Sequence, residues 1–180
     1  MRNFDYSLID LNWTLFLDRD GVINRQRVGD YVKNFREFEF LPGVFEALKL
    51  VGEIFGRIVI VTNQQGVAKG LLTEEDLEEI HQNMIVQITN HGGRIDGIFY
   101  CPFSEDSNPD CRKPNIGMAL QAKKRFPTID FSRSVMIGDS HSDMKFGQRL
   151  GMHCARIGDD LKHDSFDSLL DFSKKLVFQK

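Results

Sequence analysis

With only three cysteines in 180 residues, Cys101, Cys111 and Cys154, the chain lacks the makings of a disulfide-built scaffold. Residues 1–13 lack the apolar core of a secretory signal, since Arg, Asp and Asn interrupt the hydrophobic side chains. Together these absences point to a reduced, cytoplasmic protein. No apolar run approaches the length of a bilayer span, which excludes a membrane helix. No long basic run occurs and the formal net charge is −3, so a nucleic-acid partner is disfavoured: binding a phosphate backbone needs a field of Lys and Arg. Internal repeats and low-complexity segments are also missing. What is present is a 41% share of hydrophobic residues, enough to fill one core in a single domain over residues 1–180.

Short apolar runs alternate with longer amphipathic ones. Residues 14–18 (TLFLD) form a buried-strand run ending on a carboxylate, and the polar stretch 19–41 reads as a flap or long loop. Gly43 opens a helical stretch with Val44, Phe45, Leu48, Val51 and Phe55 on one face. Residues 57–62 (RIVIVT) are a second strand. Thr73 then caps a helix whose first turn holds Glu74, Glu75 and Asp76, with a buried stripe of Leu77, Ile80, Met84, Ile85 and Ile88 ahead of Gly92 and Gly93.

A third strand is expected at 95–101, a loop at 102–113, and a helix from Pro114 to about Phe126. Residues 134–138 (SVMIG) and 152–157 give the fourth and fifth strands, with Gly151 as a helix-ending glycine between them and a last helix over 166–178. The fold class is α/β: a Rossmann-like, five-stranded parallel sheet with helices on both faces. Its core spans about 14–157.

Ligands of such sheets bind beyond the carboxyl ends of the strands. The residues with chemical character lie there: Asp18 and Asp20 after the first strand, Thr62 and Asn63 at the end of the second, Arg112 and Lys113 after the third, Asp139 and Asp143 after the fourth. A lone Asp after a strand is ordinarily a cap or turn residue; four such segments in order suit phosphoryl transfer. A carboxylate can attack phosphorus and divide one displacement into two. A second carboxylate, held protonated by burial or by a like-charged neighbour, can serve the leaving oxygen and then water. A hydroxyl and an ammonium can hold the phosphoryl oxygens, and close carboxylates call for an oxygen-seeking cation such as Mg²⁺.

The segments DRDGVIN (18–24), TNQQG (62–66), CRKP (111–114) and GDSHSDM (138–144) resemble the four motifs of the haloacid dehalogenase (HAD) superfamily, in order over most of the chain. The resemblance implies that Asp18 is the nucleophile and a metal ligand. Asp20 is the general acid/base and gives its backbone carbonyl to the metal. Thr62 and Lys113 hold the phosphoryl group with Asn63 beside them, Asp139 binds Mg²⁺, and Asp143 supports the metal or orients Lys113. The connections are too short for an inserted cap domain, so the chain resembles the capless branch. Within it, Tyr31-Val32, residues 38–44 (FEFLPGV) and 62–70 (TNQQGVAKG) are similar to D-glycero-D-manno-heptose 1,7-bisphosphate phosphatases, with histidinol-phosphate phosphatases as the alternative.

The implied substrate is a small phosphorylated metabolite, handled by a monomer. Arg112 would meet its distal phosphate, with Lys69 read either as a helper there or as a solvated loop lysine. Such relatives often carry a structural zinc in a CxH…CxC pattern. Cys101 and Cys111 fit two of its positions, but Phe103 and Pro109 replace the others, so no zinc is expected and both thiols are expected reduced. Ser140 stands where a cation usually follows the metal-binding Asp. His141 reads as a solvated first-turn residue, His153 and Cys154 as core or edge residues, and His81, His91 and His163 receive no role. A signalling receiver domain would place an acidic pair before its phosphorylated Asp and Thr, the reverse of the order here. An inactive phosphosugar-binding subunit would be expected to lack part of the four motifs.

Overall fold

The parallel sheet is built from β1 (Thr14–Leu17), β2 (Arg57–Asn63), β3 (Gly97–Cys101), β4 (Ser134–Gly138), β5 (His153–Ile157) and β6 (Asp164–Phe166), in the spatial order β3-β2-β1-β4-β5-β6. It is taken from a computed structural model describing residues 4–159 and 163–179. Five strands follow the alternation read from the sequence; the sixth corrects it. Asp164–Phe166 pairs with β5 in parallel, where a helix from 166 was expected. Three residues at a sheet edge carry too little apolar alternation to be seen beforehand. The last helix, α5 (Leu169–Phe178), starts later, after Ser168, whose side chain accepts from the Asp171 amide.

Period-two alternation divides the core. Leu15, Leu17, Ile58, Ile60, Val135 and Ile137 face α1 (Val44–Ile54), α2 (Glu74–Asn90) and α5. Phe16, Val59, Val61 and Met136 face α3 (Gly117–Arg125) and α4 (His141–Arg149) on the opposite side. Thr73 caps α2, as the sequence indicated, and the structure adds a reciprocal box with Asp76. α3 begins three residues past Pro114, because Asn63 holds both backbone groups of Lys113 (2.9 and 3.2 Å) and the chain turns before the helix can start. Residues 4–9 lie against the β5–β6 edge, with Phe4 stacked on His153 and the Tyr6 hydroxyl donating to Asp164 at 2.7 Å.

Cys101, at the end of β3, is disulfide-bonded to Cys111. This corrects the expectation of reduced thiols: the loop between them returns the chain to within a bond of its start. Cys154 is buried and free. Titration of the unfolded chain with a thiol reagent should therefore find one reactive cysteine before reduction and three after; three at the outset would refute the bridge.

The strand order places a topological switch point between β1 and β4, since the chain runs outward through β2 and β3 and returns to the other side of β1. Crevices form at such points beyond the strand ends. A receiver-type sheet has the order 2-1-3-4-5 instead.

Candidate active site

Leu17 and Ile137 are register partners on β1 and β4, and the Asp18 amide donates to the Ile137 carbonyl at 2.9 Å. The next residue on one strand and the second on the other are thus Asp18 and Asp139, brought together by the sheet itself. A carboxylate oxygen from each of Asp18, Asp139 and Asp143 lies within 4.8 Å of the others. Lys113 enters from the far side of β2. Its ammonium donates to Asp18 Oδ1 at 2.8 Å and to the Val61 carbonyl at 2.7 Å, and forms an ion pair with Asp143 Oδ1 at 2.6 Å.

Three carboxylates against one ammonium leave a surplus of negative charge. Burial pushes the Asp18 carboxyl well above the usual range, with Lys113 opposing and Asp143 and Asp20 adding to the rise. Burial, then Asp143, pushes Asp139 up to about 6. Burial works against the charge on Lys113, but Asp143 and Asp18 outweigh it and raise its pKa. The cluster is short of positive charge by about the charge of one divalent ion, and its free donors are all oxygens, the set a hard cation takes. Gly21 fits the same picture. It sits at φ +87°, and a Cβ there would fall 2.1 Å from Asp139 Oδ2, so the backbone closes over this carboxylate as only glycine allows.

The two oxygens of Asp143 face different neighbours. Its Oδ2 accepts from the Ser140 amide (3.0 Å) and hydroxyl (2.6 Å), completing the capping box that starts α4, while Oδ1 steers Lys113. Ser140 is thereby explained: the position needs an N-cap hydroxyl. Asn63, expected beside the phosphate, has its amide turned to the Lys113 backbone instead, so it shapes the lysine's loop. Thr62 Oγ1 accepts from Gln64 Nε2 at 2.8 Å, which leaves its own hydrogen to donate. His141 is exposed.

Asp20 overturns one expectation. Rather than being held protonated, it is surrounded by donors: Arg19 Nη2 at 3.1 and 3.0 Å to its two oxygens, Asn24 Nδ2 at 2.9 Å and Gln64 Nε2 at 2.8 Å. Burial acts to raise its pKa, but Arg19, Asn24 and Gln64 prevail and lower it. Sequence reading missed Arg19, Asn24 and Gln64 as site residues, although all three lie inside the quoted motifs.

A cleft of about 430 Å³ opens over these groups. Its outer wall comes from the flap segment 26–32, from Lys69, and from Arg112. Arg112 Nη2 reaches Glu105 at 3.4 Å, while the buried Nη1 has no partner among the described residues. Lys69 donates to the Tyr31 hydroxyl at 3.0 Å.

A HAD-hydrolase-like family model matches residues 110–164, which hold the lysine segment and the last acidic segment. A D-glycero-alpha-D-manno-heptose-1,7-bisphosphate 7-phosphatase of Mycobacterium bovis is 42% identical over 170 residues, covering 89% of this chain and 90% of its own. A D-glycero-beta-D-manno-heptose-1,7-bisphosphate 7-phosphatase of Helicobacter pylori is 39% identical, covering 78% of this chain and 79% of its own. Among solved structures, the D,D-heptose 1,7-bisphosphate phosphatase of B. bronchiseptica, complexed with magnesium and phosphate, superposes with a TM-score of 0.85 at 28% identity, covering 93% of this chain and 99% of that one.

Proposed function

We propose, on the premise that this chain belongs to the HAD-like heptose-bisphosphate 7-phosphatase family and is a phosphatase, that it removes the 7-phosphate of D-glycero-D-manno-heptose 1,7-bisphosphate through an aspartyl-phosphate on Asp18. The observation that carries the chemistry is the juxtaposition of Asp18, Asp139 and Asp143 around Lys113. Asp18 and Asp139 side chains, with the Asp20 carbonyl, would hold Mg²⁺, which when bound supplies charge neutralisation for the phosphate and the carboxylates.

Asp18 Oδ1 is committed to Lys113, so Oδ2 is the oxygen that attacks phosphorus. The Thr62 hydroxyl donates to a phosphoryl oxygen. Lys113, buried between Asp18 and Asp143, acts by its charge. Asp20 rests ionised, the form that takes a proton from water in the second step. In the first step it passes on a proton that arrives with the substrate, because a phosphomonoester's second ionisation lies near pH 6. The proton goes to the departing sugar oxygen as the P–O bond breaks. The short connections around the cleft favour a capless site, and the enzyme is read as a cytoplasmic monomer without structural zinc.

The second phosphate falls to Arg112, whose unpaired Nη1 is a buried donor on the cleft wall, with Lys69 nearby. Replacing Arg112 with Ala should raise KM for the bisphosphate roughly tenfold or more, since a hydrogen bond to a charged group contributes about 1.5–3 kcal/mol. KM for a sugar monophosphate should hardly move; equal effects on both would remove Arg112 from the distal subsite. A panel of phosphate esters tests the substrate: the heptose bisphosphate should give the highest kcat/KM, and preference for histidinol phosphate would overturn the assignment.

A further inference from the structure

His81 sits on the apolar stripe of α2 among Leu77, Ile80 and Met84, a position that would ordinarily hold an aliphatic side chain. It is 5% exposed. Its Nε2 lies 3.1 Å from Arg19 Nη1, and Arg19 is itself 1% exposed. Arginine has only donors to give, so Nε2 is the acceptor and the ring is the neutral tautomer protonated on Nδ1. Burial, then Arg19, lowers the His81 pKa to about 3, in keeping with a neutral ring.

The other end of the same guanidinium, Nη2, spans both oxygens of Asp20. Among the described residues Arg19 Nε has no partner, so His81 and Asp20 are the two side chains that hydrogen-bond the fork, and the Phe38 ring 5.9 Å away adds only a face to lean on. A buried imidazole is a costly way to fill a core position, but here it satisfies a donor that would otherwise be stranded.

We infer that His81 is a positioning residue for the reaction: acting through Arg19, it fixes the Asp20 carboxylate in the orientation that meets the leaving oxygen. The inference rests on the phosphatase reading above and extends it to a residue outside the four motifs. Without the imidazole, Arg19 Nη1 has to seek another acceptor and the fork rotates, which leaves Asp20 to Asn24 and Gln64 alone and loosens its orientation. Asp18 and Lys113 hold each other, and Arg156 Nε donates to the Asp139 carbonyl at 3.1 Å, so these three stay in place.

The test compares His81→Leu, which removes the acceptor, with His81→Gln, whose amide oxygen can replace it. The value of kcat/KM covers the chemistry only as far as loss of the leaving group, so it is read on two esters. An alkyl phosphate needs its leaving oxygen protonated; p-nitrophenyl phosphate does not. For His81→Leu we expect a loss of roughly 10–100-fold on the alkyl ester, a fraction of the full acid–base contribution, with little change on the aryl ester. His81→Gln should recover most of the loss, and orthovanadate should bind both variants as it binds the wild type. Equal losses on the two esters, or none on the alkyl ester, would overturn the inference.

Nitrogen NMR of the unmodified protein adds a check that does not depend on either variant folding. His81 should be neutral with a bare Nε2, and a proton on Nε2 would refute the contact. Were the phosphatase reading itself wrong, the wild type would hydrolyse neither ester, an outcome distinct from all of these.

Discussion

Replacing Asp18 with Asn should abolish turnover while leaving the fold at least as stable as before. The loss expected is on the order of 10⁴-fold or more in kcat, the scale seen when a nucleophile is deleted from a working constellation. An amide cannot form the acyl phosphate, so rapid quenching with labelled substrate should trap phosphoenzyme in the wild type and none in the variant. Stability should move the other way. Asp18 is a buried carboxylate whose charge is opposed by burial and by its acidic neighbours. Its removal leaves Lys113 paired one-to-one with Asp143 at 2.6 Å. The thermal midpoint without divalent ions should hold or rise. Activity within tenfold of wild type would show that another group attacks phosphorus.

Lys113→Met should lose activity and stability together. Lys113 is 3% exposed, and its ammonium contacts two carboxylates that pair with no other cation among the described residues. Taking away one partner of a buried charged cluster costs about 3–5 kcal/mol, because the charges left behind are uncompensated. The sign of the pH dependence follows. Asp18 and Asp139 already have pKa values raised above those of the unfolded chain, and losing Lys113 raises them further. The folded state then binds more protons than the unfolded state from about pH 4 upward, so stability falls as pH rises. Denaturant titration without divalent ions should show a larger deficit at pH 8 than at pH 5. A deficit that is flat with pH, or below about 1 kcal/mol, would mean that water reaches the cluster and screens it. The pair of variants separates two roles that activity alone would merge: both are inactive, yet only the lysine is needed to keep the carboxylates folded.

What the sequence disclosed was the part carried by local pattern. Runs such as TLFLD and SVMIGD are apolar stretches ending on an acid, so both strand and chemistry can be read from a few consecutive residues. The meeting of Asp18 with Asp139 and Lys113 needed only the rule that ligands gather at the carboxyl ends of a parallel sheet. The surroundings of Asp20 were hidden because they depend on side-chain direction. Arg19 and Gln64 stand inside recognisable motifs, but nothing in their spacing says that both turn toward the same carboxylate, and His81 is 62 residues from Arg19. Asn63 lines the cleft, but that its amide also braces the Lys113 backbone depends on side-chain direction in the same way. Cys101 and Cys111 were read as what remained of a metal site, and pairing between two sulfurs ten residues apart depends on how the intervening loop closes.

The box formed by Ser140 and Asp143 makes the start of α4 and the steering of Lys113 a single construction. Gly138 tightens it, since a Cβ there would lie 2.3 Å from the side chain of Asp143. This stretch consequently has a frozen length. An inserted or deleted residue between 138 and 143 would rotate the helix entry by about 100 degrees, as each residue of a 3.6-residue turn does, and swing the carboxylate off the ammonium. Divergent copies of the gene should therefore differ in loop length around 102–110 or 26–32, where the chain crosses open surface, long before they gain or lose a codon here.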